Sequence, residues 1–396
     1  EAFWDKIEGD FAYAYTNLPA TSSAAGRANK WAAQAYLGKV LLYQGKFADA
    51  KAKFTDVIAN GVTTNGKKYG LVPKFAEIFN AENDNNEEAV FAVQSSMNTG
   101  NVNNSNAFDD LNYPYNTGAD GPGNCCGFFQ PSFSMANAYR TVNGLPILTE
   151  TAGAPDYNLA ANAVKNDFGV NSSAAFTEDT NPLDPRIDHT IGRRGIQYLD
   201  WIEHPGKNWI RDQTYAGPYS PKKYVYYKRQ ENTLTDGSSW TRGYATMNFN
   251  IIRFADVLLM AAEAEIEAGS LTTALGYINQ VRNRAANPAG FVMKGGVAEA
   301  NYVISPYSAF ADKASAQKAV RMERMLELAT EGHRFFDLVR WGIDVPTLNA
   351  YLAYESKYLV TKFGGASYQA TDKYLPIPQA QIDIQGSSIL KQNAGY

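Results

Sequence analysis

The chain is poor in the features that announce chemistry. No stretch of 18 apolar residues occurs in its 396 residues, which excludes a helix able to cross a bilayer. The N-terminus lacks the short apolar region of a secretion signal, since EAFWDKIEGDFAYAYTNLP is already amphipathic and reads as helix. The three histidines, His189, His204 and His333, lie far apart without metal-ligand spacing. Positive charge is not in excess: 36 Lys and Arg face 40 Asp and Glu, a net charge of -4. That balance argues against a general nucleic-acid binder.

Enzyme signatures are equally scarce. Neither GxSxG nor HExxH occurs. GVTTNGKK (Gly61 to Lys68) lacks the Ser or Thr that would hold magnesium in a phosphate loop, and Gly61 reads better as a helix C-cap. GADGPGNCCG (Gly118 to Gly127) has no strand–helix unit around it. The pairs Asp109/Asp110 and Asp200/Glu203 have the chemistry to flank a glycosidic bond, but loop carboxylates are usually solvated. AENDNNEE (Ala81 to Glu88) is rich in the oxygen ligands that calcium prefers, yet it lacks the Gly and distal Glu of an EF-hand loop. It reads as a turn leading into a strand. No metal, cofactor or catalytic group is expected.

What the chain does have is aromatics and helical hairpins. Aromatic residues make up 13%, with 25 Tyr and 6 Trp, many in polar segments, where they point to contact surfaces. Residues 29–60 form a helical hairpin: Leu37, Gly38 and Leu41, a turn at Gly45, then Ala50, Phe54 and Val57. The same register returns at 251–286, where Gly269 and Ala274 match Gly45 and Ala50 at one offset of 224 residues. That is the tetratricopeptide pattern, which needs about three units to bury a core. Helices at 1–18 and 315–341 supply the neighbours. The Glu323–Gly342 stretch, ERMLELATEGHRFFDLVRWG, spaces its charges three or four apart along one stripe of a helical surface. Its Gly332 is assigned to a close packing contact.

Between the hairpins, residues 98–249 lose helical periodicity and fill with Gly, Pro, Asn, Asp and Tyr. So many aromatics argue against disorder. The segment is read as an ordered, loop-rich lobe with short strands near Glu88–Gln94 and Lys223–Lys228. A ligand site is expected where the 111–129 loop meets the 198–219 loop, because both combine turns, aromatic faces and polar groups. Trp201, Trp209, Tyr215, Tyr219 and Trp240 are the stacking candidates, with Trp201, Trp209 and Tyr215 foremost. Asn116, Asp120 and Arg211 are assigned to hydroxyls, with Asp200, Asn208 and Asp212 nearby. The adjacent Cys125 and Cys126 are expected to form a vicinal disulfide, a hard apolar edge to the site. Residues 186–229 hold nine Lys or Arg against four Asp or Glu, which favours either an acidic glycan or the acidic rim of a partner.

Two segments near the C-terminus carry a family resemblance. EGHRFFDLVRWG (Glu331 to Gly342) and YLPIPQAQIDIQGSSILKQNAGY (Tyr374 to Tyr396) resemble the late helix and closing segment of the SusD/RagB family. GFFQPSFSMANAYRTVNGLPI (Gly127 to Ile147) and LDPRIDHTIGRRG (Leu183 to Gly195) resemble family segments too. The resemblance implies a mainly α fold, a tetratricopeptide-like superhelix with a loop-rich lobe containing short strands. It divides one SusD-like domain, 1–396, into a helical scaffold (1–97 and 250–345), a ligand lobe (98–249) and an extended C-terminal segment (346–396). In that last segment Leu375, Ile377 and Leu390 are expected to be buried, with Pro376 and Pro378 excluding helix.

The function implied is capture of oligosaccharides at the bacterial outer surface and delivery to a SusC-like TonB-dependent porin, without catalysis. The family's lipid anchor and first helices lie upstream of this sequence, so an N-terminal portion is expected to be missing, and with it part of the usual ligand site. Peptide uptake, as in the RagB branch, and an all-helical glycoside hydrolase are the alternatives.

Overall fold

The computed structural model describes residues 2–101, 104–105, 109–123, 125–237 and 243–396. Trp240 lies outside them. Helices dominate. The first, α1 (Ala2–Asn17), packs on α2 (Lys30–Tyr43), with Phe11 stacked on Tyr36 at 5.3 Å. Asn29 starts α2: its side chain accepts the Ala32 N–H (2.8 Å) while its amide donates to the Ala20 and Val62 carbonyls, satisfying N–H groups that a helix start leaves open. Helix α3 (Phe47–Asn60) folds back onto α2. Gly38 is what permits their approach, since a Cβ there would sit 2.6 Å from the Phe54 ring.

The second hairpin, α4 (Phe254–Ala268) and α5 (Leu271–Ala285), joins the first through α3 against α4. Helix α6 (Lys313–Glu327) covers α4 and α5. Both hairpins therefore share one apolar core, with Leu41, Phe54, Val57, Leu258, Ile278 and Val320 in it. Strand β1 (Ala89–Val93) pairs antiparallel with β2 (Phe249–Arg253), tying the two ends of the loop-rich segment together. Among the described residues, 98–248 hold only helices of six residues or fewer and strands of two.

The expected strand at Lys223–Lys228 does not form. Tyr224 adopts a positive φ of 59°, and Lys223 is drawn inward to donate to the Glu327 and Ala329 carbonyls and to Glu331. Strand β2 has no boundary of its own in the sequence, because FNIIR runs directly into α4.

The charges of 323–342 also sit differently from the expected surface stripe. Glu323 and Glu327 are fully buried and Glu331 is nearly so. Glu327 accepts from Arg186 (3.0 Å), Arg253 (2.6 Å) and Arg284. Glu323 accepts from Arg186 (2.6 Å) and Arg282 (2.8 Å), and Glu331 from Arg253 and Lys223. Glu88 adds two more bonds, from Arg253 and Arg284. This network joins the lobe to the helical stack. The segment is also not one helix. It ends at Glu327 and restarts as α7 (Arg334–Arg340) after a turn with Thr330 at φ 63° and Gly332 at φ 83°. A Cβ on Gly332 would meet nothing within 4 Å, so backbone conformation, and no packing contact, explains that glycine.

The C-terminal segment is only partly extended. Helix α8 (Asp344–Glu355) and short helices Val360–Phe363 and Gln379–Gln385 lie within or across 346–396. The last of these starts directly after Pro378, a position before the first N–H that a helix must bond. Leu375 is 83% exposed and Leu390 and Ile377 are only half-buried; Ile382 is the buried residue. No described helix is long and apolar enough to cross a membrane.

Candidate ligand-binding site

The 111–129 and 198–219 loops do meet. Tyr115 N–H donates to the Trp209 carbonyl (3.0 Å), and Gly121 packs against the Trp209 ring. The Gly123 N–H donates to the Tyr226 hydroxyl (2.9 Å), while Gly127 and Phe128 N–H groups return to the Tyr113 and Leu111 carbonyls. Tyr113 anchors the whole turn: it is fully buried, and its hydroxyl donates to the Gly243 carbonyl at 2.8 Å. At the tip Cys125 and Cys126 form the vicinal disulfide. Cys126 is buried and Cys125 half-buried.

The junction corrects the expected stacking platform. Trp209 is 3% exposed, edge-on to Tyr198 (5.5 Å) and His204 (5.4 Å). Trp201 is 6% exposed, and its indole N–H donates to the Tyr226 carbonyl. Tyr219 is buried against Phe133. These rings hold the loops together, as large aromatics do where strands and helices are short; their faces lie against protein. Of the expected stacking rings, Tyr215 is exposed (51%), on the short helix Gln213–Ala216 that Asp212 caps through the Thr214 N–H. Lys362 Nζ lies 5.4 Å from its ring centre.

Other rings present faces instead. Tyr115, Phe128 and Phe129 are exposed, and the Arg211 guanidinium lies over both Tyr115 (5.7 Å) and Phe128 (5.6 Å). Arg211 also lines a groove of about 630 Å³ with Phe168, Asn171, Lys207, Asn208 and Thr214. Asn116 and Asp120 are exposed on the adjoining loop, Asn116 with φ 53°. Asp200 is engaged elsewhere, accepting from the Lys228 and Arg229 N–H groups and pairing with Arg229. Sequence reading passed over Tyr115, Phe128 and Phe129; the signal was their place beside turn residues and next to the cysteine pair.

Electrostatically the region is less basic than its composition. Arg186, Arg193, Lys222 and Lys223 are buried and engaged with Asp184, Asp188 or nearby carbonyls and Glu331. Burial lowers Lys222 and Lys223 to about 8. Burial, aided by Lys222, pushes His204 down to about 3 and His189 to about 4, so both stay neutral. Among the described residues, the cations that line the groove are Lys207 and Arg211. Three of the four carboxylates of 81–88 are likewise committed: Glu88 to Arg253 and Arg284, Asp84 to the Asn248 N–H, Glu82 to Arg229. Rings, a stacked guanidinium, amides and a disulfide edge suit reversible recognition of a flat, hydroxylated ligand.

Comparison with known proteins supplies the family. The SusD family model matches residues 87–396, and the chain belongs to that family. It is 25% identical over 343 residues to the SusD-like protein P25 of Formosa agariphila, covering 85% of this chain and 54% of that one. The chain thus spans about half the length of that relative. A SusD superfamily protein from Bacteroides vulgatus superposes with a TM-score of 0.65 at 23% identity, covering 99% of this chain and 68% of that one. A laminarin-binding SusD-like protein superposes at 0.57 and 24% identity, covering 100% and 69%.

Proposed function

We propose that this SusD family protein binds an oligosaccharide at the outer cell surface and passes it to a SusC-like TonB-dependent transporter without breaking a bond. The observation that carries the reading is the exposed aromatic cluster around Arg211 beside the 630 Å³ groove. A pyranose ring presents one C–H face that lies on an aromatic ring, and its hydroxyls take bonds from fixed polar groups. Tyr115, Phe128 and Tyr215 are proposed as stacking faces, and Arg211, Asn116 and Asp120 as hydroxyl partners. Cys125–Cys126 forms a rigid margin. Trp201 and Trp209 act from behind, fixing the loops. The laminarin-binding relative supports a glycan as cargo.

Of the two candidate carboxylate pairs, the side chains of Asp109 and Asp110 lie outside the described residues, and Asp200/Glu203 is engaged. Asp200 is held by the 228–229 backbone and Arg229, and Glu203 pairs with Lys294. The helical stack is proposed as the face for the transporter, because repeat arrays offer extended surfaces to large partners and leave the lobe free for ligand. A glycan array with the purified protein, followed by incubation with the bound glycan, tests the reading. Retention of an uncleaved oligosaccharide is expected; released shorter products, or binding to no glycan, would overturn it.

A further inference from the structure

A second cavity shares no lining residue with that groove. It occupies about 310 Å³ between α7, α8 and the helix Phe133–Ala138. Its walls are apolar, built from Met135, Met325, Leu338 and Leu348 with the rings of Tyr157 and Tyr351. One charged side chain lines it, Arg334.

Arg334 differs from its neighbours. Arg324 is paired with Asp337 and Asp256, and Arg340 with Asp337 and Glu263. Arg334 forms no hydrogen bond or ion pair among the described residues; its guanidinium only lies 6.0 Å from the Trp341 ring centre. It is half-buried, and burial disfavours its charge. Asp337 and Tyr157 act on it only without direct contact, and Asp337 is already paired with Arg324 and Arg340; a cation in an apolar wall without a bonded counter-ion is costly unless something supplies one. Three polar groups of the wall are partly engaged: Ser132 Oγ accepts the Met135 N–H, and Ser134 Oγ accepts from Asn158, whose own carbonyl accepts from Asn137. A carboxylate attached to an apolar body would find a fork-shaped donor and a matching wall.

We infer that this cavity binds a small ligand with an apolar body and a single carboxylate, held by Arg334. This is a site separate from the glycan cluster and does not depend on that reading. The probe is 3-phenylpropionate, with the isosteric 3-phenylpropionamide as its uncharged counterpart, each titrated into the protein by calorimetry. The carboxylate is expected to bind about tenfold or more tightly than the amide, the scale of one charge-assisted contact. Arg334→Gln should bring both to the amide's level, and Leu348→Trp should abolish both by filling the space. Because Arg334→Gln bears on folding, methyl spectra of Met135 and Met325 in the unaltered protein locate the ligand independently. Both methyls should shift with the carboxylate at concentrations where the amide has no effect. Equal binding of acid and amide, no binding of either at millimolar concentration, or shifts that spare both methionines would overturn the inference. So would parent-like affinity in a folded Arg334→Gln protein.

Discussion

At Glu327 three guanidiniums converge on one buried carboxylate. Burial alone would raise its pKa, but Arg284, Arg253 and Arg186 overcome that and hold it well below the usual range. Its contribution is therefore present at neutral pH and is lost only as pH falls far into the acid range. Glu327→Gln leaves buried cations under-compensated and is expected to cost about 3–5 kcal/mol, measured by denaturant unfolding at pH 7. Glu355 works in the opposite sense. It is fully buried, and burial outweighs the Ser134 and Phe133 N–H bonds to push it up to about 7. A carboxyl raised this way stabilises fully below its ordinary value of 4.5 and progressively less as pH rises through 7. Glu355→Gln should match the parent near pH 5 and exceed it at alkaline pH by on the order of 3 kcal/mol. Parallel stability–pH curves for the two proteins would refute the assignment. Neither environment was legible in the sequence. The spacing of Glu323, Glu327 and Glu331 identified one helix face and its continuation, but their partners Arg186 and Arg253 lie 137 and 74 residues away from the residues they bond. Side-chain spacing gives neighbours along a helix, and cannot say whether that face meets water or distant arginines.

Elements were read more reliably than their ends. Both hairpins and strand β1 follow from periodicity in single windows of sequence, and their shared core from the register that returns at an offset of 224 residues. The break between α6 and α7 escaped, since charge and apolar spacing run on unchanged through Gly332. Its positive φ makes a concrete expectation: Gly332→Ala meets no steric obstacle, so its cost is the backbone term alone, about 1 kcal/mol. A loss several times larger in thermal unfolding would mean a packing role after all. The closing segment was misjudged for a related reason. Leu375 and Leu390 are apolar, but Asn393 and Gln392 bond back to the Leu375 and Ile377 carbonyls within the segment itself. Ile382 is its buried anchor. Removing residues 374–396 should therefore cost little more than burial of one large side chain, about 2–3 kcal/mol. Global unfolding of the truncated protein would show that the segment braces the stack.

For the molecule as a whole, the sequence located the meeting of two loops but not which of their rings face out. Trp201 and Trp209 were attractive because tryptophan in a polar segment suggests contact. Their burial depends on how Tyr198 and His204 of the same loop fold back onto Trp209, and on Tyr226 reaching Trp201 from 25 residues away, an arrangement that local composition does not encode. In the proposed function the outward rings of the lobe take the ligand and the helical stack takes the transporter. If the stack faces the transporter, co-purification should survive substitution of Tyr215 or Phe128. The most direct measurement is calorimetric titration of the array-identified glycan into Phe128→Ala, Tyr215→Ala and Arg211→Ala, with thermal unfolding of each. Each lost stacking face should weaken binding by on the order of 1–3 kcal/mol, borrowing the scale of base–aromatic stacking, at an unchanged melting temperature. Parent-like affinity in all three folded variants would contradict a glycan site at this junction.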